Sequence, residues 1–512
     1  MPPVNDPLAR VQAEISRAAT AEERDHRRAP LVEAVEAYHR SDVAQFCIPA
    51  HKQGRGVSDV AVRALGRDPF RGDLLLHKGL DDRTGSHQVL ELAQALAADA
   101  FGADHSFFST NGSTLSVQAA VLASAGPGEK ILVQRNAHKS AVAGAVLSGA
   151  VPVWVVPDID EGRALAHAVT PDALAAALAE HPEARAALCV SPTYYGVGAD
   201  VAGLAGVCHA HGIPLLMDDA WGADFHFHPE LPEAALDSGA DLAIGSYHKS
   251  LAGMLQTSII SVKGTRIDVG RLRLVLDSME TTSTSSLLLA AMDEARRQMV
   301  LHGEQLLGET LRLARRASSA LADVAGLGVL GNEVRQRPGA PSLDETKITV
   351  DLVDLGVTGY EAADWLYREC RLAVEGVDRR HLMFVVTIGD DEASVGRLVA
   401  ALTELAEKAQ AEGRPALGAA TFNEELFVGA DYPLSPREAF LGRTRMVKLA
   451  AAAGKVAAEP VSPYPPGVPA VVPGQLITGA IVDFLEAGIA EGMYVEGATD
   501  PSLRQIKIVD SQ

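Results

Sequence analysis

Basic residues are in short supply. Lys plus Arg number 45 against 66 Asp plus Glu in 512 residues, a formal net charge of −21. That deficit excludes a nucleic-acid binder, which must release counterions from a phosphate backbone, and argues against an anionic membrane surface. Cysteine is scarce too. Cys47, Cys189, Cys208 and Cys370 lie far apart and form no CxxC. The spacing argues against a disulfide framework, and a reducing, cytoplasmic setting suits these thiols. The N-terminus lacks an apolar signal core. The longest uncharged stretch, Ser140 to Pro157, is interrupted by Gly144, Ser148, Gly149 and Pro152. It reads as a helix end followed by a strand, not a membrane span. Walker A, HExxH and GxSxG motifs are absent, and the Cys and His spacings offer no metal site. The GxGxxG match at Gly326–Gly331 follows a long helix instead of a strand, so it fails the dinucleotide-binding context.

What is present is globular. Apolar residues make up 47% and charged residues 22%, which excludes wholesale disorder. The length exceeds what one core usually holds, roughly 250–300 residues. Four parts are expected: a helical arm and entrance loop (1–70), a large domain (71–300), a small α+β domain (301–410) and a C-terminal domain (411–512). In the arm, Leu31, Val32, Ala34, Val35 and Tyr38 stand near helical spacing. From about residue 90, apolar runs at 131–133, 153–156, 187–190, 214–217, 241–245 and 257–262 alternate with helical stretches. That pattern predicts a mostly parallel sheet covered on both faces. The last two runs leave no room for a crossover helix, so one strand should be antiparallel. A long amphipathic helix is expected over 286–318, then strand, helix, strand and helix at 347–352, 359–369, 382–387 and 391–407.

Five segments carry candidate chemistry. In Ser246-Tyr247-His248-Lys249-Ser250, a lysine at a strand end lies among small and apolar residues, a setting suited to covalent catalysis. Asp218 and Asp219 follow another strand, where ligands of parallel sheets bind. A carboxylate there suits the ring nitrogen of pyridoxal phosphate, while either aspartate could equally cap a turn. Gly112, Ser113 and Thr114 open a helix, a start that serves either as an ordinary cap or as an anion site. His138, in RNAHKS, could stack on a planar group. His51 and Lys52 precede a glycine and could line an entrance or sit in a solvated loop.

Together these segments resemble the pyridoxal-phosphate-dependent Orn/Lys/Arg decarboxylase family. The resemblance spans roughly residues 30–510. It rests on RNAHKS (135–140), SPTYYGV (191–197), MDDAWGADFHF (217–227), GSYHKS (245–250), ETTSTSS (280–286) and YPPGVPAVVPG (464–474). It implies an aspartate-aminotransferase-like α/β fold with a mostly parallel central sheet and smaller α+β domains. It implies that Lys249 bonds covalently to the cofactor, Asp218 pairs with the pyridine nitrogen and His138 stacks on the ring. Gly112, Ser113 and Thr114 would bind the phosphate with Ser246 and His248, and Trp221 would flank the cofactor. Thr282 would reach a phosphate across the interface of a homodimer or tetramer. Lys249 or His248 would return the proton to the substrate after CO2 leaves.

The implied substrate is a basic amino acid, arginine or lysine before ornithine. Glu375 is the candidate for its distal group, with Asp378 and Asp82 behind it. The sequence lacks the extra wing domain of longer family members, which points away from a decamer. It also departs from the family pattern at Thr284, Ser286 and Gln475. Those departures keep open a pyridoxal-phosphate oxidase, deaminase or aminotransferase, and a non-catalytic regulator stands behind both.

Overall fold

The computed structural model describes residues 25–41, 43–76, 80–81, 88–418, 430–464 and 467–510. Its largest sheet has seven strands: β1 (His105–Ser109), β2 (Lys130–Gln134), β3 (Val151–Val155), β4 (Ala187–Val190), β5 (Leu215–Asp218), β6 (Leu242–Ser246) and β7 (Ser258–Val262). Their spatial order is β1-β7-β6-β5-β4-β2-β3. Only β7 runs against its neighbours, pairing Ser258 with both Ser246 and Ser109. The expected single antiparallel strand is therefore present, joined to β6 by a short connection. β1 is a strand that the apolar-run pattern did not indicate, because its sequence HSFFS carries polar residues at both ends. Those ends pair inside the sheet, and Ser106 meets Ser261 at 2.8 Å.

Helices cover both faces. α1 (Pro30–Arg40) buries Leu31, Ala34 and Tyr38, three of the residues in helical register. It packs on the main body, where the Leu31 N–H donates to Asp293 Oδ2 at 2.9 Å. α2 (Gln88–Ala100) leads into β1. α3 (Gly112–Ser124), α4 (Lys139–Ser148), α5 (Pro171–Glu180) and α6 (Val201–Ala210) are the crossover and flanking helices. α5 and α6 are started by the side chains of Thr170 and Asp200, which accept N–H bonds from the first turn. The long helix α7 (Ser286–Ala322) runs four residues beyond its expected end.

Beyond α7 lies a four-stranded antiparallel sheet in the order β8-β9-β11-β10: β8 (Gly328–Val329), β9 (Lys347–Asp351), β10 (Gly376–Val377) and β11 (His381–Val385). α8 (Gly359–Glu369) and α9 (Glu392–Glu412) pack on it through Ala362, Leu366, Leu398 and Leu402. The C-terminal part pairs β12 (Thr444–Lys448) with β13 (Gln505–Val509) and carries α10 (Gly479–Ala490). All four cysteines are free, and Cys189 and Cys208 are buried. Among the described residues, no helix is long and apolar enough to cross a membrane, and no group of acidic, His or Cys side chains could hold a metal.

Candidate active site

The carboxyl ends of β1, β2, β4, β5 and β6 converge on one edge of the large sheet. A cavity of about 1390 Å3 opens there. Parallel strands aim their successive turns and helix N-termini at this edge, so residues far apart in sequence share one wall.

After β1, the chain turns through Gly112 (φ 73°) and enters α3. A Cβ at Gly112 would meet nothing within 4 Å, so its backbone borders open space. Ser113 and Thr114 follow on the cavity wall. The first N–H groups of a helix have no partners inside it, which makes this start attractive to an anion. Hydroxyls reinforce it: Ser113 Oγ lies 2.6 Å from Ser246 Oγ and 3.0 Å from Ser258 Oγ.

After β2, His138 starts α4. Its Nδ1 accepts the Ser140 N–H at 3.2 Å and contacts Ser140 Oγ at 2.9 Å. The backbone of Gly467 leaves the ring edge no more room than a Cβ contact of 3.1 Å. Burial, then Lys249 and Lys139, depresses the imidazole pKa from 6.5 to about 3. His138 is therefore neutral across the physiological range.

After β5, the alternation of the chain separates two neighbouring carboxylates. Asp218 lines the cavity and accepts the Ala220 N–H at 3.3 Å. Asp219 does not line it. After β6, a helical turn carries His248 and Lys249. The Lys249 Nζ lies 4.4 Å from the centre of the Trp221 ring, which meets Tyr194 edge-on at 5.6 Å. Burial lowers the Lys249 pKa, with Asp218 and Glu375 pulling it back up. Burial also raises the Asp218 carboxyl, and Lys249 opposes that. His248 Nδ1 faces the Thr257 carbonyl at 3.1 Å. A carbonyl only accepts, so Nδ1 carries the proton and Nε2 is left as the basic nitrogen.

Glu375 reaches the cavity from the small sheet. Its backbone carbonyl accepts the Tyr194 hydroxyl at 3.0 Å. Burial raises its carboxyl pKa, and Lys249 opposes the shift. Asp378 also lines the cavity, but its carboxylate is engaged by His381, Tyr195 and backbone N–H groups. Asp82 lies outside the described residues. Thr282 is exposed and does not line the cavity of its own chain.

His51 and Lys52 do not reach the cavity either. His51 Nε2 pairs with Asp73 at 3.1 Å, and Lys52 bonds the Cys47 carbonyl. The departures at Thr284, Ser286 and Gln475 are likewise off this chain's cavity wall. Ser286 is buried and ties Gly72 and Leu74 to the start of α7. Gln475 accepts from Arg135, a buried guanidinium that also bonds Tyr432 and the Pro469 and Ala470 carbonyls. Ser286 and Gln475 thus fasten segments together, while among the described residues Thr284 bonds only the Thr281 carbonyl at 3.0 Å. Sequence reasoning assigned no role to Tyr194, although SPTYYGV was a recognisable segment. It also missed Asp483 of α10 and Glu491 just after it, which line the cavity from far along the chain.

The Orn/Lys/Arg decarboxylase major-domain model matches residues 29–334, and the C-terminal-domain model of the same family matches 425–492. The chain belongs to the Orn/Lys/Arg decarboxylase family. An arginine decarboxylase of Bacillus subtilis is 35% identical over 94% of this chain and 98% of its own length. A constitutive lysine decarboxylase of Escherichia coli is 25% identical over 94% of this chain and 80% of its own. The solved lysine decarboxylase A of Pseudomonas aeruginosa superposes with a TM-score of 0.78 at 22% identity, over 97% of this chain and 82% of that one. That likeness shows the shared fold.

Orn/Lys/Arg decarboxylases and their neighbours in fold are pyridoxal-phosphate-dependent in general. The residues of this cavity fit that group. A helix N-terminus with open space at Gly112 and a cluster of serine hydroxyls suits the phosphate. A buried lysine of lowered pKa, a buried carboxylate and a neutral imidazole stand on the same wall.

Proposed function

We propose that this chain is a pyridoxal-phosphate-dependent decarboxylase of arginine, releasing CO2 and the corresponding amine. One observation carries the proposal: Lys249 is buried against the Trp221 ring in the cavity that Asp218 also lines, at the strand-end edge where a helix N-terminus can hold a phosphate. The preference for arginine over lysine follows the names of the relatives. Several at about 35% identity are arginine decarboxylases, whereas the lysine enzymes stand at about 25%.

Bound pyridoxal phosphate supplies a protonated pyridine ring that accepts the electron pair left behind when CO2 departs. Ser113, Thr114, Ser246 and the Gly112 backbone hold the phosphate. Asp218 holds a proton at the pyridine nitrogen, and the Lys249 ammonium nearby favours its ionised form. His138, held neutral, offers a ring face without placing a second cation beside that nitrogen. Lys249, its pKa lowered by burial, gives up its proton more readily than an exposed lysine, which suits it to act as the nucleophile. His248 Nε2 or Lys249 then delivers a proton to the substrate Cα, and each turnover consumes one proton. Glu375 pairs with the guanidinium of the substrate. Thr282, exposed at the surface, contributes to a partner subunit's phosphate site in a homodimer or larger assembly.

Purified protein given pyridoxal phosphate should show a visible absorption band that borohydride removes and Lys249→Ala abolishes. Incubation with arginine, lysine and ornithine should release CO2 fastest from arginine. Ammonia and peroxide without CO2 would overturn the decarboxylase reading. No observation favours the oxidase, aminotransferase or regulator alternatives.

A further inference from the structure

The turn between β2 and α4 sends two side chains different ways. His138 lines the cavity, whereas Arg135 turns into the interior and is 1% exposed. The Arg135 N–H pairs with the Val155 carbonyl at 2.9 Å, so its backbone is held as an extension of β2. Its guanidinium then gathers the C-terminal part of the chain. Nη1 donates to the Pro469 carbonyl at 2.8 Å, and Nη2 donates to the Ala470 carbonyl and to Gln475 Oε1, both at 3.3 Å. Nε donates to the Tyr432 hydroxyl at 3.1 Å, and the guanidinium carbon lies 5.6 Å from the centre of the Trp154 ring. A buried guanidinium is costly unless acceptors meet its donors. The 469–475 segment supplies most of them here, so the segment and the guanidinium fix each other.

The same segment touches the imidazole. The Lys139 N–H donates to the Gly467 carbonyl at 3.1 Å, and the Lys139 side chain pairs with Glu496. Gly467 stands at φ 84°, which glycine adopts without steric cost. A Cβ there would fall 3.1 Å from both Cδ2 and Nε2 of His138. Ser140 holds the opposite edge of the ring through Nδ1. The imidazole is thus confined at both edges, and its faces remain as the surfaces it can offer a planar group.

We propose that Arg135 is a positioning residue for the cofactor site: by holding the 467–475 segment against the β2–α4 turn, it seats Gly467 on the His138 ring and fixes the face that the ring offers. The inference rests on the reading of His138 as the residue that stacks on pyridoxal phosphate. It gives the C-terminal part of the chain a share in the cofactor pocket built on the large sheet. Gln475 belongs to the same device, since its Oε1 accepts from Arg135 and from the Val472 N–H at 3.1 Å.

The test compares wild type, Arg135→Met, His138→Asn, Gln475→Leu, Gln475→Glu and the Arg135→Met, His138→Asn double variant. Each apoprotein is titrated with pyridoxal phosphate, and kcat and KM for the amino acid are measured on the loaded forms. Arg135→Met should weaken cofactor affinity about tenfold or more and lower kcat, with KM moving less than about twofold. Gln475→Leu should act in the same direction. Gln475→Glu keeps the acceptor and should stay within about twofold of wild type. Added to His138→Asn, the Arg135 change should cost less than a further twofold, because it acts through that ring. Losses that multiply in the double variant overturn the proposal, and so does wild-type cofactor affinity in Arg135→Met or an equal loss in Gln475→Glu and Gln475→Leu. If Arg135→Met does not fold, Gln475→Leu takes its place in the same comparison with His138→Asn. A wild type that binds no pyridoxal phosphate defeats the cofactor reading and this inference with it. A wild type that binds it beside an unaffected Arg135→Met defeats only this inference.

Discussion

His138 gives the sharpest quantitative test of the cavity's electrostatics. Burial, then Lys249 and Lys139, depresses its pKa from 6.5 to about 3. In the unfolded chain the same imidazole returns to about 6.5. The unfolded state therefore binds a proton that the folded state refuses. The stability tied to this refusal is full above the unfolded pKa and is lost as pH falls from about 6.5 toward 3. At pH 5 the unfolded imidazole is about 1.5 pH units below its pKa, which removes about 2 kcal/mol from the folding free energy. His138→Asn retains a side-chain acceptor for the Ser140 N–H and abolishes the titration. Urea unfolding of both apoproteins, at one protein concentration, would be measured at pH 7 and pH 5. The loss between those pH values should be about 2 kcal/mol smaller in the variant. Losses that agree within about 0.5 kcal/mol would refute a buried, neutral His138.

Three further outcomes are expected. Tyr247 is fully buried against Phe101 and Phe108, and its hydroxyl has no hydrogen-bond partner among the described residues. Tyr247→Phe should stabilise the fold by about 1 kcal/mol in thermal unfolding while activity persists, and a clear drop in Tm would show that the hydroxyl is bonded. Glu375→Gln should raise KM for arginine about tenfold or more without loss of the visible cofactor band, and an unchanged KM would remove Glu375 from substrate binding. Gly376→Ala would place a Cβ 1.8 Å from the Tyr194 hydroxyl. It should cost about 1–3 kcal/mol and disturb substrate KM before cofactor affinity, and a variant matching wild type in both would show that the Tyr194 ring moves freely aside.

Much of the fold was legible because local signals agreed. Apolar runs alternating with helical stretches fit a buried parallel sheet, and the short link between β6 and β7 required an antiparallel strand. β1 was not legible, since its edge serines are satisfied by a partner about 150 residues away in sequence and leave no apolar run. The departures at Thr284, Ser286 and Gln475 fall within family segments and so kept other reactions open. In three dimensions two of them fasten segments: Ser286 holds 72–74, and Gln475 receives the Arg135 side chain.

The sequence alone determined the family, the fold class and the candidate chemistry around Lys249, because those depend on residue types in ordered segments. It could not choose between Asp218 and Asp219 except by resemblance. The tertiary structure separated them: Asp218 lines the cavity, and Asp219 is buried away from it. It also decided the neutrality of His138, the lowered pKa of Lys249 and the engagement of Asp378. Each of these depends on burial and on charges brought together from distant segments, and distance along a chain carries no measure of either.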